Sequence, residues 1–385
     1  MSTQIYIIRH AEAEGNLYRR IHGWYDSLIT ENGQRQIDAL RGRFAQLTVN
    51  AVYSSDLHRT QRTAQALCAP KGLRPVLTPA LREISLGVWE DMTFGGVARH
   101  ARAQFRYFSA MEPSFAVDEG ETFDTVRRRM EGAFFSIAQA HPGQTVALFS
   151  HGSAIRCLQG GLRGTPPGEV EGLGHSDNTG VSCYEVEGDS VTIRFENDNS
   201  HLSKEISTFA RQSWWRDKPG GALDANLWFR PLLPGGADEA LYREARREAW
   251  LGIHGAAVPF DGDGFYDDAL RCAREDGEAL LCAMLGDRPA GILQMDVRRG
   301  REQGAGYLPF VYLFPEFRRR GMGIQLIGQA VSFFRTRGRT VLRLRCAPDN
   351  QVAQHFYKKY GFYKVAEEAG SRVPLDILEK NIGYH

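Results

Sequence analysis

The stretch Gln4-Ile5-Tyr6-Ile7-Ile8-Arg9-His10 is a short β-branched run that stops on a guanidinium and an imidazole. Such a run reads as a strand. Working outward, Thr30–Gln46 carries Ile37, Leu40 and Phe44 near helical spacing, with Thr30 placed as the N-cap. Ala51–Ser54 reads as a second strand, Leu57–Leu67 as a helix, and Val146–Phe149 as a strand that runs into Ser150-His151-Gly152. Strands alternating with helices predict an α/β layer fold with a largely parallel sheet. Val181–Glu185 and Ser190–Glu196 flank Glu187-Gly188-Asp189, which signals a closing hairpin.

The chain has 385 residues, room for about two domains at roughly 100–200 residues each. Apolar residues make up 42% and charged residues 24%, which excludes wholesale disorder. Lys and Arg total 47 against 46 acidic residues, so a globally basic nucleic-acid coat is excluded. The six cysteines are scattered without metal-ligand spacing and read as reduced, buried thiols. Met1-Ser2-Thr3-Gln4 shows no signal-peptide pattern, and the longest apolar runs, Val146–Phe149 and Tyr307–Phe314, are strand-sized. The expectation is a soluble cytoplasmic protein with no membrane partner.

After the hairpin, residues 204–225 read as a connector, helical around Lys204–Trp215 and then broken at Lys218-Pro219-Gly220-Gly221. The domains then run over 1–203 and 226–385. The second contains strands at Trp228–Leu232, Ala279–Leu285, Ala290–Val297, Tyr307–Phe314 and Thr340–Cys346. Its helices fall at Ala237–Leu251, from about Gly321 to Arg337, and at Gln351–Tyr360.

Two sets of residues carry chemistry. Arg9-His10 and Ser150-His151-Gly152 end strands, and Arg59 and Arg62 lie on the helix after Tyr53-Ser54-Ser55-Asp56-Leu57. Ligands of open α/β sheets gather at the carboxyl ends of strands. Arginine's planar fork matches phosphate oxygens, so imidazoles and guanidiniums delivered there suit a dianion. Five blocks in order carry a family resemblance: Arg9-His10-Ala11-Glu12, Gly23-Trp24-Tyr25-Asp26, Ser54-Ser55-Asp56-Leu57-His58-Arg59, Leu81-Arg82-Glu83 and Ser150-His151-Gly152, the last followed by Arg156. Together they resemble the histidine phosphatase superfamily, which includes the phosphoglycerate mutases.

That resemblance implies a phosphoglycerate-mutase-like three-layer sandwich with a mostly parallel sheet. It implies His10 as the nucleophile that becomes a phosphohistidine. Arg9, Arg59 and His151 hold the phosphoryl group, Asn16 is a lesser contact, and Glu83 is the acid and then the base. Ala11 stands where the family signature has glycine, and a methyl there could crowd a backbone approach to phosphate. The Glu-Arg-Arg-Tyr segment of many mutases is not evident between Asp91 and Phe115, which favours a phosphatase acting on a small phosphorylated metabolite. The insert Asp91–Thr122 carries Arg99, Arg102 and Arg106, which read mainly as a solvated face.

The second set is Arg318-Arg319-Arg320-Gly321-Met322-Gly323, between a strand and a helix. Backbone N–H groups at a helix start form an anion site, and glycines let a pyrophosphate approach. The arginine run is short and lacks aromatic partners in register, so nucleic acid is not its expected ligand. With Asn350-Gln351-Val352-Ala353 and Tyr357 to Gly361-Phe362, the segment resembles the GNAT N-acetyltransferases. That resemblance implies acetyl-CoA as co-substrate, lying against Val311 and Leu313. Its pyrophosphate would sit over Arg318, Arg319, Arg320, Gly321, Met322 and Gly323, with Asn350 as a further contact. Tyr357 would protonate the leaving thiolate, and an amine would be the acceptor. Glu316 is a weak candidate base, and no metal is implied for either half. The combined expectation is a bifunctional phosphatase and N-acetyltransferase. The alternatives are a phosphoglycerate-type mutase, or a phosphatase regulated by a non-catalytic acetyl-CoA-binding domain.

Overall fold

The computed structural model describes residues 1–166, 168–212, 226–370 and 374–384. They fall into two compact units, Met1–Met92 with Val97–Ala222, and Thr93–Gly96 with Leu223–His385.

The first unit is built on strands β1 (Thr3–Arg9), β2 (Ala51–Ser54), β3 (Val76–Leu77), β4 (Thr145–Ser150), β5 (Val181–Glu187) and β6 (Ser190–Asp198). Their order is β3-β2-β4-β1-β5-β6. The β3-β2, β2-β4 and β4-β1 junctions are parallel, while β5 and β6 close the sheet as an antiparallel hairpin. The helices are α1 (Glu14–Tyr18), α2 (Glu31–Arg43), α3 (His58–Lys71), α4 (Phe94–His100), α5 (Arg102–Ala110), α6 (Phe123–Ala140), α7 (Gly152–Leu162) and α8 (Thr208–Arg211). Thr30 caps α2 as the sequence predicts, its Oγ1 accepting from Gly33 N at 2.9 Å.

β1 is buried on both faces, which is why it reads as an uninterrupted apolar run. Tyr6 and Ile8 pack with Ile37 and Leu40 of α2, with its C-cap Phe44, and with Ala64 and Leu67 of α3 in one core cluster. Alternate residues turn to the other face. There Thr3 Oγ1 donates to Ala138 O of α6 at 2.9 Å. The result is the helix–sheet–helix sandwich. Because β1, β2 and β4 are parallel, their carboxyl ends share one edge, where Arg9 pairs in register with Ser150 and Ser54 with Phe149.

The second unit runs β7 (Trp228–Pro231), α9 (Gly236–His254), α10 (Gly262–Glu275), β8 (Leu280–Leu285), β9 (Arg288–Asp296), β10 (Ala305–Leu313), α11 (Gly323–Arg335), β11 (Val341–Cys346), α12 (Gln351–Lys359), β12 (Tyr363–Glu368) and β13 (Leu375–Asn381). The sheet order is β12-β13-β11-β10-β9-β8-β7. β10 and β11 are parallel neighbours only from Ala305↔Val341 to Leu308↔Leu344. Beyond that they part: β10 continues to Leu313 against β9, and β11 continues to Cys346 against β13. The wedge between them opens toward the loop before α11.

Several elements escape the sequence reading. α6 and α10 are absent from it, although Tyr266, Ala269 and Cys272 bury one face of α10; the Gly- and Asp-rich start Gly262-Asp263-Gly264 reads as turn chemistry. The closing segment is two paired strands, β12 and β13. In the expected connector, residues 204–212 contain only the short α8 and pack into the first unit, with Ile206, Ser207 and Thr208 buried; residues 213–225 lie outside the described residues.

Candidate active sites

In the first unit the strand ends deliver what the sequence led one to expect. His10, Arg59 and His151 are 6%, 1% and 0% exposed. The two imidazole centroids lie 5.2 Å apart. His10 Nδ1 lies 2.7 Å from Ala11 O, so it donates to that carbonyl and carries the ring proton. Nε2 is then left with its lone pair. Burial, reinforced by Arg59 and Arg9, pushes the His10 imidazole well below its ordinary value, and burial with Arg59 does the same to His151. Both rings are therefore neutral near pH 7.

Each cation is held by backbone. Arg9 donates from one terminal nitrogen to Ser176 O at 2.6 Å. Arg59 donates to Tyr25 O at 3.1 Å and Gly23 O at 2.7 Å, with the Asp26 carboxylate 3.7 Å away. His151 Nε2 is 3.0 Å from Ser55 Oγ, which already accepts from Leu57 N. The Ser55 hydroxyl can either donate to that nitrogen or accept from it. Arg9 Nε, Arg59 Nε and His151 Nδ1 are buried without a hydrogen-bond partner. A buried polar atom in that state costs roughly 1–3 kcal/mol. Arg127, Arg156 and Arg339 Nε share it, and what sets Arg9, Arg59 and His151 apart is that all three act on the His10 ring.

Glu83 sits at the start of α7. Its carboxylate accepts from Ser153 N at 3.1 Å and Ala154 N at 2.9 Å, and from its neighbour Ile84 N at 3.0 Å. Asn16 faces inward at α1, accepting from Ala13 N at 3.1 Å and from Asn178 Nδ2 at 3.4 Å. The methyl of Ala11 joins the α2–α3 core cluster, which fits the tolerance expected of the smallest alternative to glycine. Arg62, grouped with Arg59 in the sequence reading, is exposed. So are Arg99, Arg102 and Arg106, as a solvated face predicts. Arg156 is buried and donates to Val170 O at 2.8 Å.

Sequence reasoning missed the residues that brace the site. Arg129 donates to Arg82 O and Glu83 O, both at 2.7 Å, and pairs with Glu121, whose other contact is Ser85 N. Trp24 Nε1 donates to Glu83 O at 2.8 Å. These contacts fix the acid-bearing loop through its carbonyls, and a backbone acceptor leaves no mark in the sequence of the residue that offers it.

In the second unit the predicted cradle lies between β10 and α11. Arg319 and Gly321 adopt φ of 59° and 73°, and α11 starts at Met322 without a side-chain cap. Its first N–H groups are thus left for a ligand or water. Arg318, Arg319, Arg320 and Gly321 are exposed, whereas Met322 is buried. Arg318 does not face an open cradle. Its Nε donates to Leu313 O at 2.8 Å and its fork pairs with Glu248 at 2.8 Å. Val311 and Leu313 lie on the part of β10 that has left β11.

Asn350 caps α12, its Oδ1 accepting from Ala353 N at 3.1 Å. Tyr357 packs against Phe356 and Phe362, and burial, with the Cys346 thiol adding to it, pushes its hydroxyl above the usual phenol range. Glu316 is half exposed and faces Arg288 at 3.5 Å. It lines a cavity of about 420 Å³ together with Glu244, Glu248, Tyr312 and Phe314.

The chain matches the histidine phosphatase superfamily (branch 1) over residues 5–199 and the acetyltransferase (GNAT) family over residues 241–362. It is 34% identical over 163 residues to "Probable phosphoglycerate mutase GpmB" of Cronobacter sakazakii, covering 42% of this chain and 76% of that relative. The protein of the same name from Photorhabdus laumondii is 32% identical over the same shares. Among solved structures, Bacillus stearothermophilus YhfR is 31% identical with a TM-score of 0.50, covering 52% of this chain and 98% of that one.

Proposed function

The chain belongs to the histidine phosphatase superfamily and carries a GNAT acetyltransferase domain behind that first domain, and from this premise we propose that it is bifunctional, hydrolysing a small phosphomonoester in one unit and acetylating an amine in the other. The observation that carries the first activity is the trio of buried, unpartnered nitrogens, Arg9 Nε, Arg59 Nε and His151 Nδ1, of residues that act on the His10 ring. His10 Nε2 attacks phosphorus, and the phosphorus–oxygen ester bond breaks. Glu83 gives its proton to the departing oxygen. Water then attacks the phosphohistidine, Glu83 takes a proton from it, and the phosphorus–nitrogen bond breaks to release phosphate. The cations stabilise the charge spread over the equatorial oxygens throughout.

For the second activity, the residues fit acetyl-CoA. The wedge beyond Leu308 leaves β10 without a strand on that side, and the uncapped start of α11 offers N–H groups to a pyrophosphate. The co-substrate supplies the acyl thioester. Gly321 lets backbone approach the phosphates, Gly323 makes room for the Phe356 ring beside that loop, and Arg319 and Arg320 add charge. Arg318 contributes through its backbone while its side chain stays on Glu248. Tyr357, with its proton held by burial, protonates the thiolate that leaves. The cavity beside β10, with three glutamates against the one arginine, Arg288, supports an acceptor that is cationic before it reacts. Phosphatase is preferred to mutase because the Glu-Arg-Arg-Tyr segment is missing from Asp91–Phe115.

The test is a phosphate-release screen over small phosphoesters with His10→Ala as control, followed by acetyl-CoA with an amine panel and a thiol readout. Phosphate release that survives His10→Ala overturns the first assignment. Phosphoryl transfer to a second metabolite without phosphate release establishes the mutase reading instead. Acetyl-CoA binding without thiol release for any amine favours a regulatory second unit.

A further inference from the structure

Behind the phosphate cage lies a buried anion that the phosphoryl-transfer steps do not use. Asp177 is 1% exposed and sits in the turn Ser176–Thr179 that leads into β5. Its carboxylate accepts four hydrogen bonds and no direct ion pair among the described residues. Oδ1 takes Asn178 N at 2.8 Å and Phe209 N at 3.3 Å; Oδ2 takes Asn199 Nδ2 at 3.1 Å and Ser207 Oγ at 2.6 Å. A carboxylate with four donors holds their backbone in one geometry, because each donor would otherwise be buried and unpaired.

The turn it fixes touches both reacting-site residues of β1. Ser176 O accepts from Arg9, Asn178 Nδ2 donates to His10 O at 2.9 Å, and Thr179 N donates to Arg9 O at 3.2 Å. Thr179 is also held at φ 58°. A β-branched residue there costs about 1–3 kcal/mol and persists only where its surroundings over-determine it. The negative charge also opposes part of the burial cost of the Arg9 guanidinium.

We infer that Asp177 is a positioning residue for phosphoryl transfer, and that Ser207 and Phe209, which lie beyond the family's matched residues 5–199, complete the phosphatase site by holding it. The segment is anchored independently of Asp177. Gln36 Nε2 donates to Ile206 O at 2.7 Å, and Thr208 Oγ1 donates to Glu12 at 3.2 Å. What read as the start of a connector is therefore the rear wall of the site. The inference rests on the phosphatase reading and adds to it.

The test uses the full chain, p-nitrophenyl phosphate as substrate, and calorimetric titration with orthovanadate to count competent sites. Asp177→Asn keeps the shape but turns an acceptor into a donor facing Asn199 and Ser207. Its kcat per vanadate-titrated site should fall about tenfold or more. KM should not rise, since removing a negative charge does not weaken binding of a dianion. Mere loss of folded protein lowers the titre and leaves kcat per site untouched. Ser207→Ala should lower kcat per site at least threefold and Ser207→Thr should restore it, which keeps the test decisive if Asp177→Asn does not fold. A kcat per site within threefold of wild type for Asp177→Asn, or for Ser207→Ala where the former yields no protein, overturns the inference. If the wild type releases no phosphate, or His10→Ala releases as much, it is the phosphatase reading that falls.

Discussion

On the proposed reading, the two units solve the same problem, holding phosphate oxygens, in opposite ways. The first assembles its cage from five separate stretches of chain and buries it, with Arg59 at 1% and His151 at 0% exposure. The second draws its cradle from one contiguous loop, in which Arg319, Arg320 and Gly321 are exposed. The difference follows from the tasks. A transition state with charge on its oxygens needs donors that do not reorganise, and burying them unpartnered is the standing cost of that readiness. A cradle that only binds a pyrophosphate has no such need. Backbone N–H groups and exposed charge suffice, and water satisfies them between turnovers.

Several measurements would break or sharpen this contrast. The largest effect is expected from His10→Ala, which should take phosphate release to background while acetyl-CoA-dependent thiol release persists; parallel assays of one preparation check both. Arg59→Lys keeps the charge but not the fork that meets Tyr25 O and Gly23 O. It should cost on the order of 10²–10³ in kcat, the usual loss of one preorganised donor, read by steady-state kinetics. Retention of activity by lysine would mean that the cage needs only charge, and the contrast with the cradle would fail.

In the second unit, Tyr357→Phe should lower acetyl transfer on the order of 10² and leave acetyl-CoA affinity unchanged, measured by thiol release beside calorimetry. Gly321 sits at φ +73°, and a β-carbon added there would meet nothing within 4 Å, so conformation alone demands glycine. Gly321→Ala should cost about 1 kcal/mol, or roughly fivefold in acetyl-CoA affinity, read by calorimetry.

A further effect concerns pH. His10 and His151 are depressed below 6.5, so between that value and their folded values the unfolded chain binds more protons than the folded one. Stability of the first unit therefore falls as pH drops below about 6.5, by up to roughly 1.4 kcal/mol per pH unit for each ring. A loss of 1 kcal/mol lowers the midpoint by about 2–4 °C for a unit of this size. Calorimetric scans from pH 7.5 to 5.5 should show the transition that orthovanadate stabilises moving down. If it does not move, the imidazoles are not buried neutral.

The candidate residues stand out in the sequence for a physical reason. A nucleophile, a fork and an anion-binding turn each need particular side chains at strand ends or helix starts, and those positions mark themselves by β-branched runs, caps and glycines. Arg62 shows the limit: its type and spacing match Arg59, yet one is exposed and the other buried. Asn350 shows another, since an amide suited to a ligand is also suited to capping a helix, and here it caps α12.

Sequence by itself determined the α/β order of elements, the two-domain layout and the residue types available for both chemistries, because periodicity, capping and side-chain chemistry are local properties. Only the tertiary structure decided which donors remain unpartnered, that Arg129 and Trp24 brace the acid loop through its carbonyls, that Arg318 turns to Glu248, and that residues 207–209 belong to the first unit. Those outcomes depend on contacts between distant parts of the chain, and a backbone carbonyl is the same in every residue until the fold brings a donor to it.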